Sequence, residues 1–293
     1  MSNKFFLTSL SLLLILVSLQ SCQTIIDIDQ KEFKKRLVMT ATLDADTTIS
    51  VFVTRTVGAL ATGFPDSITN AIVDLYEDGN LLFNIPYASF GNYAHNYHPV
   101  IGRTYKVRVS APGFDEAIEA TTSIPAPPQV DTFSYSLVPS TTNQQWSSNA
   151  LEGSITINDP SGENYYMIKA VDIYADTFSN EEYSSMLYLT TDDPLIGNSQ
   201  QYSAALMFTD FSFEGSVYTI RFKSESYGGS FGSNHLTYKV YSLSRESYLY
   251  LTSLQNYYNN KDNPFSEPVQ VYSNVSSQMG ILGAVSKWET LIF

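Results

Sequence analysis

The chain has 293 residues, 43% of them apolar and only 15% charged, with 21 Tyr and 17 Phe. This composition can fill a sizeable core and excludes extensive disorder. Sixteen Lys and Arg against 29 Asp and Glu give a net charge of −13, without the basic footprint of a nucleic-acid binder, and a single Cys excludes a disulfide framework or a thiolate-held zinc or iron–sulfur site.

Residues 1–21 read as an export signal. One positive charge, Lys4, precedes the apolar run Phe5–Leu19, which is shorter than the roughly 20 residues that a spanning helix needs. The run stops at Leu19-Gln20-Ser21-Cys22, and Cys22 is the one thiol of the chain. The segment resembles a bacterial lipobox, with Gln20 in place of the usual small or branched residue. Cleavage there would make Cys22 the first residue and the site of lipidation. An ordinary signal peptide with an incidental Cys22 is the alternative. One acyl chain holds a membrane marginally, at ~0.8 kcal/mol per buried methylene, whereas two or more hold it durably. Residues 22–36 follow as a polar lipidated tether of mixed charge. Asp27 and Asp29 lie close to Cys22 and resemble a surface-export signal, so both a periplasmic and an external orientation are open at this point.

Residues 37–124 are expected to form an immunoglobulin-like β-sandwich. Period-two runs rich in β-branched and aromatic residues mark strands at Leu37–Leu43, Thr48–Val57, Ala71–Glu77, Leu81–Asn84, Arg103–Ser110 and Phe114–Thr121. Asp78-Gly79 is a hairpin signal between two of them. Residues 125–129 then form a Pro-rich linker: Pro125, Pro127 and Pro128 favour extended backbone and mark a domain boundary. Residues 130–293 are a second β-rich, sandwich-like domain. Its expected strands are Val130–Leu137, Leu151–Asn158, Tyr165–Ile173, Ser185–Thr190, Ala204–Phe208, Val217–Ser224 and Leu236–Leu243. One short helix stands out, capped by Ser244, with Tyr248, Leu251, Leu254 and Tyr258 at helical spacing and Asn259-Asn260 and Pro264 beyond it. The fold class is mainly β.

Candidate chemistry is sparse. Gly228-Gly229-Ser230-Phe231-Gly232 matches G-x-S-x-G in form, but a nucleophile elbow needs a helix after it, and Leu236–Leu243 reads as a strand. His95 and His98 form H-x-x-H; on a strand they face opposite sides, and a third ligand would have to come from a distant residue such as His235. Asp159, Glu163 and Asn164 flank a turn and are weak calcium candidates, without the spacing of an EF-hand. Asp44/Asp46 and Asp192/Asp193 are similar in kind, with turn and capping roles the simpler reading. Trp146 and Trp288 could stack on sugar rings, although aromatics in sandwiches usually fill the core. Asp46-Thr47 and Asp66-Ser67 match short O-glycosylation sites. No cofactor and no catalytic residue is expected.

Several segments converge on a resemblance. Cys22 is followed by the early strand Leu37–Leu43, by Thr54-Arg55-Thr56 and by Gly102-Arg103-Thr104-Tyr105. Near the C-terminus come Asn263-Pro264-Phe265-Ser266-Glu267-Pro268, Tyr272-Ser273-Asn274-Val275 and Gly280-Ile281-Leu282-Gly283-Ala284. In this order they resemble a Bacteroidota lipoprotein family, domain of unknown function 4249, over essentially the whole mature chain. The resemblance implies an outer-membrane lipoprotein, often encoded beside TonB-dependent receptors, with no established reaction. The expectation is a non-enzymatic accessory or binding partner of such a receptor system, held to the membrane by its N-terminal lipid. A surface glycan- or peptide-binding module acting alone is the alternative, and a hydrolase is the remaining one.

Overall fold

A computed structural model describes residues 34–58, 63–139, 149–175, 182–196, 204–225 and 235–292. Cys22, Asp27, Asp29, Trp146 and Ser230 lie outside these segments. The elements are β1 (Leu37–Asp44), β2 (Ile49–Arg55), β3 (Ile72–Glu77), β4 (Asn80–Asn84), β5 (Tyr87–Ser89), β6 (Asn92–His95), β7 (Thr104–Ser110) and β8 (Ile118–Ser123). After the prolines come β9 (Val130–Pro139), β10 (Asn149–Asn158), β11 (Tyr165–Ala175), β12 (Glu182–Met186), β13 (Tyr188–Thr190), β14 (Leu206–Thr209), β15 (Val217–Glu225), β16 (His235–Leu243), the helix α1 (Arg245–Asn260) and β17 (Gly280–Leu291).

Alternation makes the clearest strands. In β1, Leu37, Met39, Ala41 and Leu43 are buried, with the residues between them turned outward. In β7, Tyr105, Val107 and Val109 are buried. Its outward Lys106 and Arg108 meet Glu119 at 3.9 Å and Asp74 at 4.0 Å. Asp78 and Gly79 sit at φ 47° and 85°, the left-handed pair that a two-residue hairpin needs.

Three sheets result. A nine-stranded sheet runs β12-β11-β16-β17-β1-β2-β6-β5, with β14 also paired to β11. Two four-stranded sheets run β4-β3-β7-β8 and β13-β15-β10-β9. Among the described strands one pair is parallel, β1 with β17, from Met39 opposite Gly280 to Asp44 opposite Val285. The long sheet therefore backs both smaller ones. The first core includes Leu37, Met39, Val51, Val53, Tyr93, Tyr105 and Val107. The second includes Leu151, Ile155, Tyr166, Ile168, Phe208, Ile220, Phe222 and Tyr238. Each such side chain contributes roughly 1.5–3 kcal/mol on full burial.

The prolines at 125–128 carry the chain from β8, in one small sheet, to β9, in the other. The long sheet crosses the boundary expected there, because β17 from the C-terminal side lies beside β1 from the N-terminal side. Residues Lys35–Phe293 form one compact unit with two cores.

Some elements differ from the sequence expectation. The strand expected from Phe114 begins only at Ile118, because the Phe114 N–H donates to the Ala111 carbonyl in a turn. Ser185–Thr190 is split between β12 and β13, which lie in different sheets. The short β5 and β6 and the central β17 carry no period-two signal. β17 is buried on both faces through Ile281–Ser286, and a strand covered on both sides reads as an apolar run rather than an alternation.

α1 is fixed to β17 by its cap. The Ser244 Oγ accepts from the Ser247 N–H at 3.2 Å and from the Ala284 N–H at 3.1 Å, and the Ser247 Oγ donates to the Ala284 carbonyl at 3.0 Å. Glu246 complements the positive helix end. Tyr248 and Leu251 cover a third cluster of Tyr165, Met167, Met207, Leu243 and Val285. Tyr258, placed on the same stripe by spacing, is largely exposed.

Candidate functional site

The outward face of the β13-β15-β10-β9 sheet forms a groove of about 1030 Å³. Antiparallel register lines up its floor. Ser134, Ser154 and Arg221 face one another across three strands, and Ser136, Glu152 and Lys223 form the next row. The Ser134 and Ser154 hydroxyls are 2.7 Å apart, Thr156 and Thr219 are 2.9 Å apart, and the Lys223 Nζ meets Glu152 at 2.8 Å. Such cross-strand pairs stabilise a sheet by roughly 0.2–1 kcal/mol each.

A strap of residues 190–194 walls one side. The Thr191 hydroxyl donates to the Arg221 carbonyl at 2.6 Å and accepts from the Asp193 N–H at 3.1 Å. The Tyr218 hydroxyl donates to the Asp193 carboxylate at 2.8 Å, and its ring stacks on Phe213 with centroids 4.4 Å apart. Burial, reinforced by that carboxylate, pushes the Tyr218 phenol up to about 12. Gly153 lets the sheet close on the core, since a Cβ there would come within 2.6 Å of the Phe222 ring. Arg221 and Asp192 are exposed in the groove. The bonded hydroxyls go to one another, to backbone or to Asp193, an arrangement suited to polar recognition.

The sequence candidates fall elsewhere. His95 stacks on Phe83 at 4.0 Å. The His98 ring lies 3.3 Å from the Ala45 carbonyl, and His235 begins β16, two strands from β1 in the long sheet. Asp44 accepts from the Asp46 N–H at 2.9 Å and shapes a turn. Thr47 and Ser67 are both exposed, with the Ser67 hydroxyl donating to the Phe90 carbonyl at 3.0 Å. Trp288 packs on the second core near Phe133.

Asp159, Glu163 and Asn164 share one turn, but their polar atoms are used separately. The Asp159 oxygens accept from the Tyr166 hydroxyl at 2.5 Å and the Gly215 N–H at 2.8 Å. The Asn164 side chain donates to the Pro160 and Gly162 carbonyls and to Asp210. Burial, reinforced by Glu163, pushes the Tyr165 phenol up to about 12. Among the described residues no three His, Cys, Asp or Glu converge as a metal set, and no helix is long and apolar enough to cross a membrane.

In the other sandwich Glu77 accepts from Tyr105 at 2.5 Å and from Tyr97 at 2.6 Å. Those two hydrogen bonds, Tyr105 first, hold its carboxyl below the usual range. A depressed value means that the unfolded chain takes up the proton first as pH falls. The stability from Glu77 is therefore present above the ordinary glutamate value of about 4.3 and is lost below it. Glu77→Gln is expected to flatten the acid limb of a urea-unfolding series; an acid limb as steep as wild type would sink this assignment.

The groove was not picked out from the sequence. Glu152, Ser154 and Thr156 alternate with buried residues in β10, as do Thr219, Arg221 and Lys223 in β15. That shared alternation was the available signal for one polar face.

Two cores sharing one long sheet, with one helix on it among the described residues, define a mainly β, sandwich-like protein. The chain belongs to the family described as domain of unknown function (DUF4249), which matches residues 23–290. No curated protein matches it. Among solved structures it is similar to "Biofilm associated protein - BSP domain" at 8% identity and a TM-score of 0.19, over 92% of this chain and 61% of that one. It is similar to "Biofilm associated protein - B domain" at 8% identity and a TM-score of 0.20, over 86% of this chain and 85% of that one. The chain thus spans less than two thirds of the first of these, and superpositions this weak carry no argument.

Proposed function

We propose that the protein is a non-enzymatic lipoprotein of the bacterial outer membrane, acylated at Cys22, that serves as a binding subunit beside a TonB-dependent receptor. The groove on the β13-β15-β10-β9 face is its contact surface. The observation that supports this reading is the groove's chemistry: about 1030 Å³ of paired hydroxyls and charges, with Arg221 and Asp192 exposed in it. Arg is among the residues that interfaces favour. Anchoring confines such a subunit to two dimensions and raises its effective concentration near a membrane partner.

Affinity purification from solubilised membranes tests this, with intact-mass analysis of the N-terminal peptide on the same sample. The expected result is an acylated Cys22 and a co-purifying β-barrel protein. Arg221→Ala is expected to weaken that capture by about 10- to 100-fold, the effect of losing a charge-assisted contact of roughly 1.5–3 kcal/mol. An acylated protein that captures no barrel, or capture indifferent to Arg221, would overturn the assignment of partner or of groove respectively.

A further inference from the structure

We propose that the surface around Arg36 rests on the bilayer, with Phe64 and Phe90 as its apolar contacts and Lys35 and Arg36 facing anionic headgroups. The inference rests on acylation at Cys22 and names which face of the fold the anchor brings down.

The first observation is where the anchored end of the chain joins the fold. The Arg36 N–H donates to the Thr56 hydroxyl at 3.0 Å, and the Thr56 N–H donates to the Arg36 carbonyl at 2.9 Å. The roughly 13 residues between Cys22 and Arg36 reach at most about 45 Å. An anchor at Cys22 therefore keeps the Arg36 end of β1 within that distance of the membrane, and makes it the part of the fold nearest the anchor along the chain.

The second is what surrounds that end. Next along β2, the Arg55 N–H donates to the Asp66 carbonyl and its side chain pairs with Asp66. Phe64, two residues from Asp66, is 97% exposed. One step further, the Val53 N–H donates to the Gly91 carbonyl at 2.8 Å, and Ser67 holds the Phe90 carbonyl. Phe90 is 85% exposed. Both rings thus flank the strand end at which the tether arrives. Lys35 and Arg36 are exposed beside them, in a chain whose net charge is −13. Basic residues and aromatic rings together are the composition of a lipid interface.

The third is strain. Phe90 has φ +49°, the left-handed region that bulky residues avoid. Glycine would satisfy that backbone without cost, and nothing in the core uses the ring. An exposed phenylalanine kept in a strained conformation points to an external contact.

The test uses the acylated full-length protein, reconstituted in phosphatidylethanolamine–phosphatidylglycerol vesicles containing a bromine-labelled phospholipid quencher. Phe64→Trp and Phe90→Trp are compared with Phe211→Trp, whose site is 90% exposed on the turn after β14 in the other sandwich. Interfacial placement predicts quenching at 64 and 90 at least about threefold above that at 211, reduced when the anionic lipid is omitted. Phe64→Trp, at an unstrained site, carries the test if the change at 90 disturbs folding. Phe90→Gly is expected to raise the thermal midpoint while weakening vesicle contact. Equal quenching at all three positions, or none, on a sample whose Cys22 is acylated would overturn the lipid assignment alone and leave these rings to a protein partner. An unmodified Cys22 would overturn the proposed function and this inference with it.

Discussion

Gly280→Val is expected to cost the fold about 3–5 kcal/mol and to lower the thermal midpoint by roughly 10 °C. Gly280 opens β17 at φ +101°, directly opposite Met39 of β1. A Cβ there would collide with the Met39 carbonyl oxygen and lie 2.8 Å from its carbonyl carbon. Both are backbone atoms inside the parallel ladder, so neither can rotate away. Gly79→Ala separates the two causes, because Gly79 has φ +85° with nothing within 4 Å of a new Cβ. It carries the conformational penalty alone, about 1–2 kcal/mol. Gly283→Ala is intermediate: its Cβ would meet the Ser247 hydroxyl, a side chain that can turn at the expense of its bond to Ala284. If urea unfolding places Gly280→Ala level with Gly79→Ala, close packing against β1 is not what this glycine supplies.

The C-terminal sequence pattern takes on a physical meaning in that light. The Asn274 amide donates to the carbonyls of Leu282 and Thr121, while its oxygen accepts from the Leu282 N–H at 3.0 Å. Ser276 exchanges hydrogen bonds with Glu119 in the same gap. Asn274, Gly280 and Gly283 thus seal the join between β8, β17, β1 and α1. The pattern Tyr272–Val275 followed by Gly280-Ile281-Leu282-Gly283 could be read in the sequence as a family resemblance. Its cause could not, because the cause is the approach of strands more than a hundred residues apart.

The same contrast runs through the fold. β1 and β7 were legible because one face is wet and the other dry, and α1 because Ser244 offers a cap and Tyr248 and Leu251 a stripe. β17 was hidden because a strand with both faces covered loses its period. β5 and β6 were hidden because Phe90 and Gly91, both at positive φ, interrupt a short run. The groove was the least legible part, since register alone sets Ser134 beside Ser154 and Arg221, and register is fixed by the burial of the opposite face.

Asp159→Ala is expected to cost about 3–4 kcal/mol, with a pH signature opposite to that of Glu77. Asp159 is 4% exposed and Tyr166 1% exposed. Removing the carboxylate leaves the buried Tyr166 hydroxyl without its acceptor and frees the Gly215 N–H of the turn beside it. Burial raises the Asp159 carboxyl, with Asp210 and Glu214 adding to the rise and the bonds from Tyr166 and Gly215 opposing it. A raised value means that the folded protein keeps a proton the unfolded chain has released. This group's contribution therefore declines as pH rises from the ordinary aspartate value of about 3.9 through the raised one. Asp159→Asn removes the buried charge and is expected to abolish that decline; a profile superimposable on wild type would show that the carboxyl is not strained by burial. Glu77 belongs to the first sandwich and Asp159 to the second, and the β1–β17 ladder ties their sheets together. If the ladder transmits stability, both signatures fall in one cooperative transition. If Gly280→Val breaks it, the acid-sensitive limb follows the melting of the first sandwich and the decline at higher pH follows that of the second.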